Sequence, residues 1–178
     1  APYVHQASWA RSPKRQYEKS KVFEPSDAGF VMVRHPRSKA NRIYDILGGQ
    51  PEVEITFRLP GMRWEHIQIG PRQLLALTCL TPVNDSKTVI TQIIWSDHPV
   101  LVLTPIIKPF VRAFLHQDGD MVNLQNMGLK YDPPMLWLED GDTQAKWYQQ
   151  LKREWTTARA EGRAFVNPVK ATTLRWRS

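Results

Sequence analysis

The chain has 178 residues, of which 42% are hydrophobic, 10% aromatic and only 9 are glycine, values that suit one folded domain and exclude a collagen-like or disordered chain. Its net charge of +7 sets 24 basic residues against 17 acidic ones. The cations are scattered, gathering only near Lys14–Arg15 and Arg175–Arg177, and no nucleic-acid-binding motif accompanies them, so they describe a solvated surface or a docking face for an acidic redox partner.

Residues 1–20 are polar and basic without sustained periodicity, which reads as an irregular or partly helical lead-in. Phe30–Arg34 and Arg42–Ile46 are strand candidates separated by the turn-forming stretch His35–Asn41. In Val53–Leu59 the apolar residues Val53, Ile55, Phe57 and Leu59 alternate with Glu54, Thr56 and Arg58, the pattern of a half-buried strand. Further strands are predicted at Trp64–Ile69, Gln73–Thr81 and Thr88–Trp95, punctuated by Pro60–Gly61, Gly70–Pro71 and Pro82–Ser86. With no helices between them to make parallel crossovers, these strands should be antiparallel.

The pattern changes after Ser96. Pro109 suits a first helical turn, and Phe110–Leu129 has helical periodicity. The stretch Tyr131–Pro134 stops that helix, and a second begins after Asp140 or Asp142, with Trp147, Leu151 and Trp155 recurring every fourth residue as a packing face. The tail from Gly162 to Ser178 reads as an extended excursion over the surface. A sheet followed by helices predicts an α+β fold in which a curved antiparallel sheet wraps a long C-terminal helix, leaving room for a ligand between them.

Cys79 is the only cysteine, which excludes an internal disulfide, a Cys-rich zinc site and a self-contained iron–sulfur cluster. Its place in the apolar run Leu74–Leu80 marks it as a small core residue. No apolar stretch approaches the roughly 20 residues needed to cross a bilayer, and the start APYVHQASWARSPKR has no apolar signal region. The chain reads as soluble and cytoplasmic. Gly-rich phosphate loops, nucleophile elbows and paired zinc motifs are missing, which leaves hydrolase and nucleotide-binding readings without support.

The predicted helix Phe110–Leu129 carries one discordant residue. At about 100° per residue, Val111, Phe114, Leu115, Met121, Val122, Gln125 and Leu129 all fall within about 60° of Asp118. Arg112, His116, Asp120 and Asn123 fall on the opposite side. An ionised carboxylate in an apolar stripe costs several kcal/mol unless a metal, a cation or several donors compensate it. A buried Arg or Tyr, a kink at Gly119 that turns the acid outward, or a metal would each satisfy this. His5, set beside Tyr3 and Val4, adds a neutral nitrogen ligand, and His plus carboxylate is a donor set that iron(II) accepts. Spacing alone supplies no third ligand. Gln125, on the face of Asp118, could hydrogen-bond the carboxylate or a bound water. His35, His66, His98 and His116 are assigned to turn, strand or solvent and not to a metal.

The segments PYVHQASW and FLHQDGDMVNLQNMG resemble matching segments in the catalytic domain of Rieske-type, aromatic-ring-hydroxylating non-haem iron oxygenases. The resemblance is nearest to the pheophorbide-oxygenase-like and vanillate-demethylase-like branch, and GLKYDPPMLWLEDGDTQAKWYQQLKREW is similar to the end of that domain. It covers essentially the whole chain. It implies a helix-grip, START-like domain and a mononuclear Fe(II) held by two histidines and a helical aspartate, with His5 matching the second histidine and Asp118 the aspartate. The first histidine falls immediately before Ala1. The family's 2Fe-2S cluster belongs to a separate N-terminal Rieske domain, so the chain is expected to be a fragment, inactive alone. The resemblance further implies O2 and an aromatic or other cyclic organic substrate, an electron-donating ferredoxin or reductase, and assembly as a homotrimer. The competing expectation is a metal-free START-like module that binds a hydrophobic ligand.

Overall fold

A computed structural model describes residues 18–36, 51–97, 99–134 and 136–177. The fold is α+β. Strands β1 (Glu18–Ser26), β2 (Gly29–Pro36), β3 (Glu52–Arg58), β4 (Met62–Ile69), β5 (Arg72–Asn84) and β6 (Lys87–Ser96) are followed by a 3-10 turn at Pro99–Leu103. Helices α1 (Thr104–Leu129) and α2 (Thr143–Ala160) come next, and β7 (Thr172–Arg177) closes the chain. The seven strands form one sheet in the order β6-β5-β4-β3-β2-β1-β7, with every neighbouring pair antiparallel.

The four strands expected between Val53 and Trp95 are present as β3 to β6, and Phe30–Arg34 lies within β2. Arg42–Ile46 lies outside the described residues. Strand β1 starts inside the lead-in expected to be irregular over residues 1–20 and runs on through a stretch to which no element was assigned, because Lys19 and Lys21 sit at alternating positions that a periodicity count reads as polar. Those lysines share a sheet face with buried Phe23, as the pairs Lys19↔Trp176, Lys21↔Leu174 and Phe23↔Thr172 show.

The C-terminal tail is a second correction. It does not skirt the surface: β7 pairs along β1, and Val169 and Leu174 are buried in the core. Asn167 fastens the approach to β7, its side-chain amide donating to the carbonyls of Asp27 and Gly29, both at 2.8 Å. Its oxygen accepts the Val169 N–H at 2.9 Å. Gly29 is required where the tail crosses, since a Cβ there would lie 1.8 Å from the Phe57 carbonyl oxygen.

The core sits between α2 and the β7-β1-β2-β3 part of the sheet. Phe23, Phe30, Trp147, Leu151, Val169 and Leu174 form it, with Phe57 and Phe165 packed against it. Trp147 and Leu151 are buried as their spacing predicts, but Trp155 is 48% exposed and rests on Phe165 of the tail, ring centroids 5.6 Å apart. Helix α1 starts one turn and a half before the expected boundary. Pro105 occupies its first turn and Pro109 lies inside the helix, where its ring removes one backbone hydrogen bond without ending the element. Cys79 is only half-buried, since the run Leu74–Leu80 is a strand whose alternate residues face opposite sides.

Candidate functional site

Helix α1 runs unbroken through Gly119, so Asp118 shares one helical face with Val111, Leu115, Val122, Gln125 and Leu129. The sequence-derived stripe is therefore real, but the burial expected of it is not. Val111 and Leu115 are half-buried, while Asp118, Met121, Val122, Gln125, Asn126 and Leu129 are exposed. Val122 is 54% exposed, and on the other side Leu124 is 60% exposed. Among the described residues, Asp118 thus lies on an exposed, largely apolar face of α1. His116 and Asp120 are exposed as expected. His5 and His98 lie outside the described residues.

Asp118 offers one anionic oxygen donor. No three side chains among His, Cys, Asp and Glu converge on a common point among the described residues, so these residues by themselves do not complete an iron site. An open cleft of about 360 Å³ is lined by Gln150, Arg153, Glu154, Thr157 and Pro168. None of the sequence-predicted site residues lines it. Its carboxylate is already engaged: Glu154 receives Arg163 at 2.5 and 3.0 Å and the Val166 N–H at 3.2 Å. The Arg163 hydrogen bonds hold the Glu154 carboxyl down at about 2.

Two polar groupings escaped sequence reasoning. On one face of the sheet, Arg34 donates to His66 Nδ1 at 2.8 Å, and His66 Nε2 meets Gln73 Oε1 at 3.0 Å. Because a guanidinium only donates, Nδ1 must be the acceptor and Nε2 must carry the proton. Gln73 continues the chain, its backbone N–H donating to Asp97 Oδ1 at 2.7 Å. On the opposite face, half-buried Lys21 and His35 lie near one another. A bulge between Met32 and His35 brings His35 opposite Val53. Burial pushes both groups down from their ordinary values. For His35 a hydrogen bond to the Val33 carbonyl opposes the shift and Lys21 adds to it, and for Lys21 the neighbouring Lys19 adds to it. Neither grouping has a sequence signature, because the first is assembled by register from β2, β4 and β5 and the second from β1 and β2.

Comparison of the chain with family models, with curated proteins and with solved structures found no match.

Proposed function

We propose that this chain is the catalytic domain of a Rieske-type non-haem iron oxygenase, which oxidises an aromatic or other cyclic organic substrate with O2. The observation that carries the reading is Asp118, a carboxylate set in a row of apolar side chains on the helix whose sequence, with the His5 segment, resembles that family. The α+β architecture with helices following an antiparallel sheet is compatible with a helix-grip domain, in which α2 would be the gripped helix. Bound Fe(II) would supply the oxygen-activating chemistry. His5 and Asp118 would hold it together with a further histidine, and electrons would come from a 2Fe-2S domain fed by a ferredoxin or reductase.

What the residues of this chain contribute is more limited. The apolar side chains beside Asp118, chiefly Val111, Leu115 and Val122, would face an organic substrate and keep water from the carboxylate once the face is covered. Gln125, about two turns further along on the same face, would orient the carboxylate or a water by hydrogen bonding.

A second reading, a metal-free module carrying a hydrophobic ligand, draws on the same open apolar face of α1. Anaerobic Fe(II) titration of the chain extended upstream to include the first histidine and the 2Fe-2S domain separates the two. The oxygenase reading expects binding that is lost in both Asp118→Asn and His5→Ala and kept in Asp120→Asn, which alters an exposed acid on the other side of the helix. Iron binding unchanged by Asp118→Asn rejects it. Capture of an apolar fluorescent probe by α1, insensitive to chelators and to Asp118→Asn, would favour the carrier.

A further inference from the structure

The sheet face on which α2 is docked carries two bases where the adjoining positions are apolar. Register places Lys21 of β1 beside Leu174 of β7, and Lys19 beside Trp176. On the other side, the bulge in β2 turns His35 onto the same face, beside Val53 of β3. Leu174 is buried, and Trp176 and Val53 are half-buried. Lys21 and His35 thus stand one inward-facing row beyond the pair Phe23↔Met32, between apolar walls.

The titratable groups of this patch are all bases. The Lys21 ammonium acts on the His35 imidazole, and Lys19 acts on Lys21 in turn. From the flanking strands, β7 contributes Leu174 and Trp176 and β3 contributes Val53, none of which titrates. Among the described residues no carboxylate forms an ion pair with Lys21 or His35. Their contacts within the chain leave donors over. Lys21 Nζ donates to the Pro36 carbonyl at a long 3.5 Å, which uses one of its N–H groups. His35 Nδ1 donates to the Val33 carbonyl at 3.0 Å, so Nε2 is the nitrogen that takes up or releases a proton. Desolvation and like-charge repulsion both oppose a half-buried ammonium beside a second base. A bound anion relieves both.

We infer that Lys21 and His35 form a binding site for the carboxylate of a small organic acid, whose apolar part lies against Val53 and Trp176. Lys21 Nζ supplies a charge-assisted hydrogen bond, and His35 Nε2 supplies a second one on taking a proton from solvent. Binding is therefore coupled to proton uptake at His35, and affinity falls as pH rises through the imidazole titration. The apolar flanks select for an acid with an apolar body, because they give a strongly hydrated inorganic anion nothing in return for its lost water. The site uses residues of the sheet alone and is independent of the oxygenase reading.

Calorimetric titration of the full chain tests it, with benzoate as the probe, benzamide as its neutral isostere and inorganic phosphate as an anion without an apolar body. Benzoate should bind about tenfold or more tightly than either of the others, and Lys21→Met should remove most of that advantage. Lys87→Met, on the exposed edge strand β6, should change nothing. NMR of the histidine side chains, with His35 assigned through His35→Gln, should show benzoate shifting the His35 titration upward. Without any anion, Lys21→Met should melt no lower than the parent, since it removes a half-buried charge with no carboxylate partner, and circular dichroism confirms that it is folded. Four results overturn the inference: benzamide or phosphate binding as tightly as benzoate, benzoate binding unchanged by Lys21→Met, a His35 titration that benzoate does not move, or a lower melting temperature of Lys21→Met, which would mean that the lysine is paired within the chain.

Discussion

Trp147 of α2 meets Phe30 of β2 edge-on, ring centroids 5.1 Å apart and planes at 62°. It also meets Phe23 of β1 at 5.5 Å and 65°. Phe30 in turn stacks on Phe57 at 5.2 Å, whose ring Tyr148 approaches at 5.5 Å and 89°. One helix is thereby docked on three strands through aromatic rings, an arrangement in which edge-on and offset contacts add roughly 0.5–1.5 kcal/mol per pair beyond the area buried.

The stability of the domain should hinge on the helix positions beneath this cluster. Leu151 is 0% exposed, and Leu151→Ala is expected to cost about 2–5 kcal/mol in urea unfolding. Trp155→Ala, one turn further on, should cost less, since that ring is half open and loses mainly its contact with Phe165. Equal costs would mean that the helix is not seated as described.

Asn167 joins the tail to the β1–β2 turn through two hydrogen bonds and accepts the Val169 N–H within the tail as a third. Asn167→Ala leaves the Gly29 carbonyl and the Val169 N–H to find other partners, at an expected cost of about 1–3 kcal/mol. Because β7 depends on this anchor, amide hydrogen exchange should accelerate along Thr172–Arg177 more than along β4, a pattern that distinguishes local release from a global loss of stability.

The pair Glu154–Arg163 sets an acid dependence. The carboxyl is held at about 2 in the folded chain against an ordinary value of 4.5. A lowered folded value means that the unfolded chain binds the proton first, so the stabilisation is fully present above about 4.5 and is lost as pH falls through about 2. The melting temperature of Glu154→Gln should lie below that of the parent at pH 7 and converge with it as pH approaches 2. A constant gap between the two across that range would show that the pair is not responsible.

Much of this fold was legible in the sequence for a simple reason. In β3 the apolar residues alternate, and in α2 Trp147 and Leu151 recur at helical spacing, so local periodicity alone assigned their elements and their inward faces. The same logic placed Asp118 on a helix with its apolar neighbours. It failed for β1, where lysines stand at inward positions beside Phe23, and for the tail, whose single strand gains meaning only by pairing with β1, more than a hundred residues away in the chain. The exposure of the Asp118 face among the described residues was likewise beyond reach, because whether a stripe is buried depends on what lies across from it. Sequence periodicity determined which residues share a face. Only the tertiary structure decided which faces meet, since register and docking come from contacts between distant segments that no local pattern encodes.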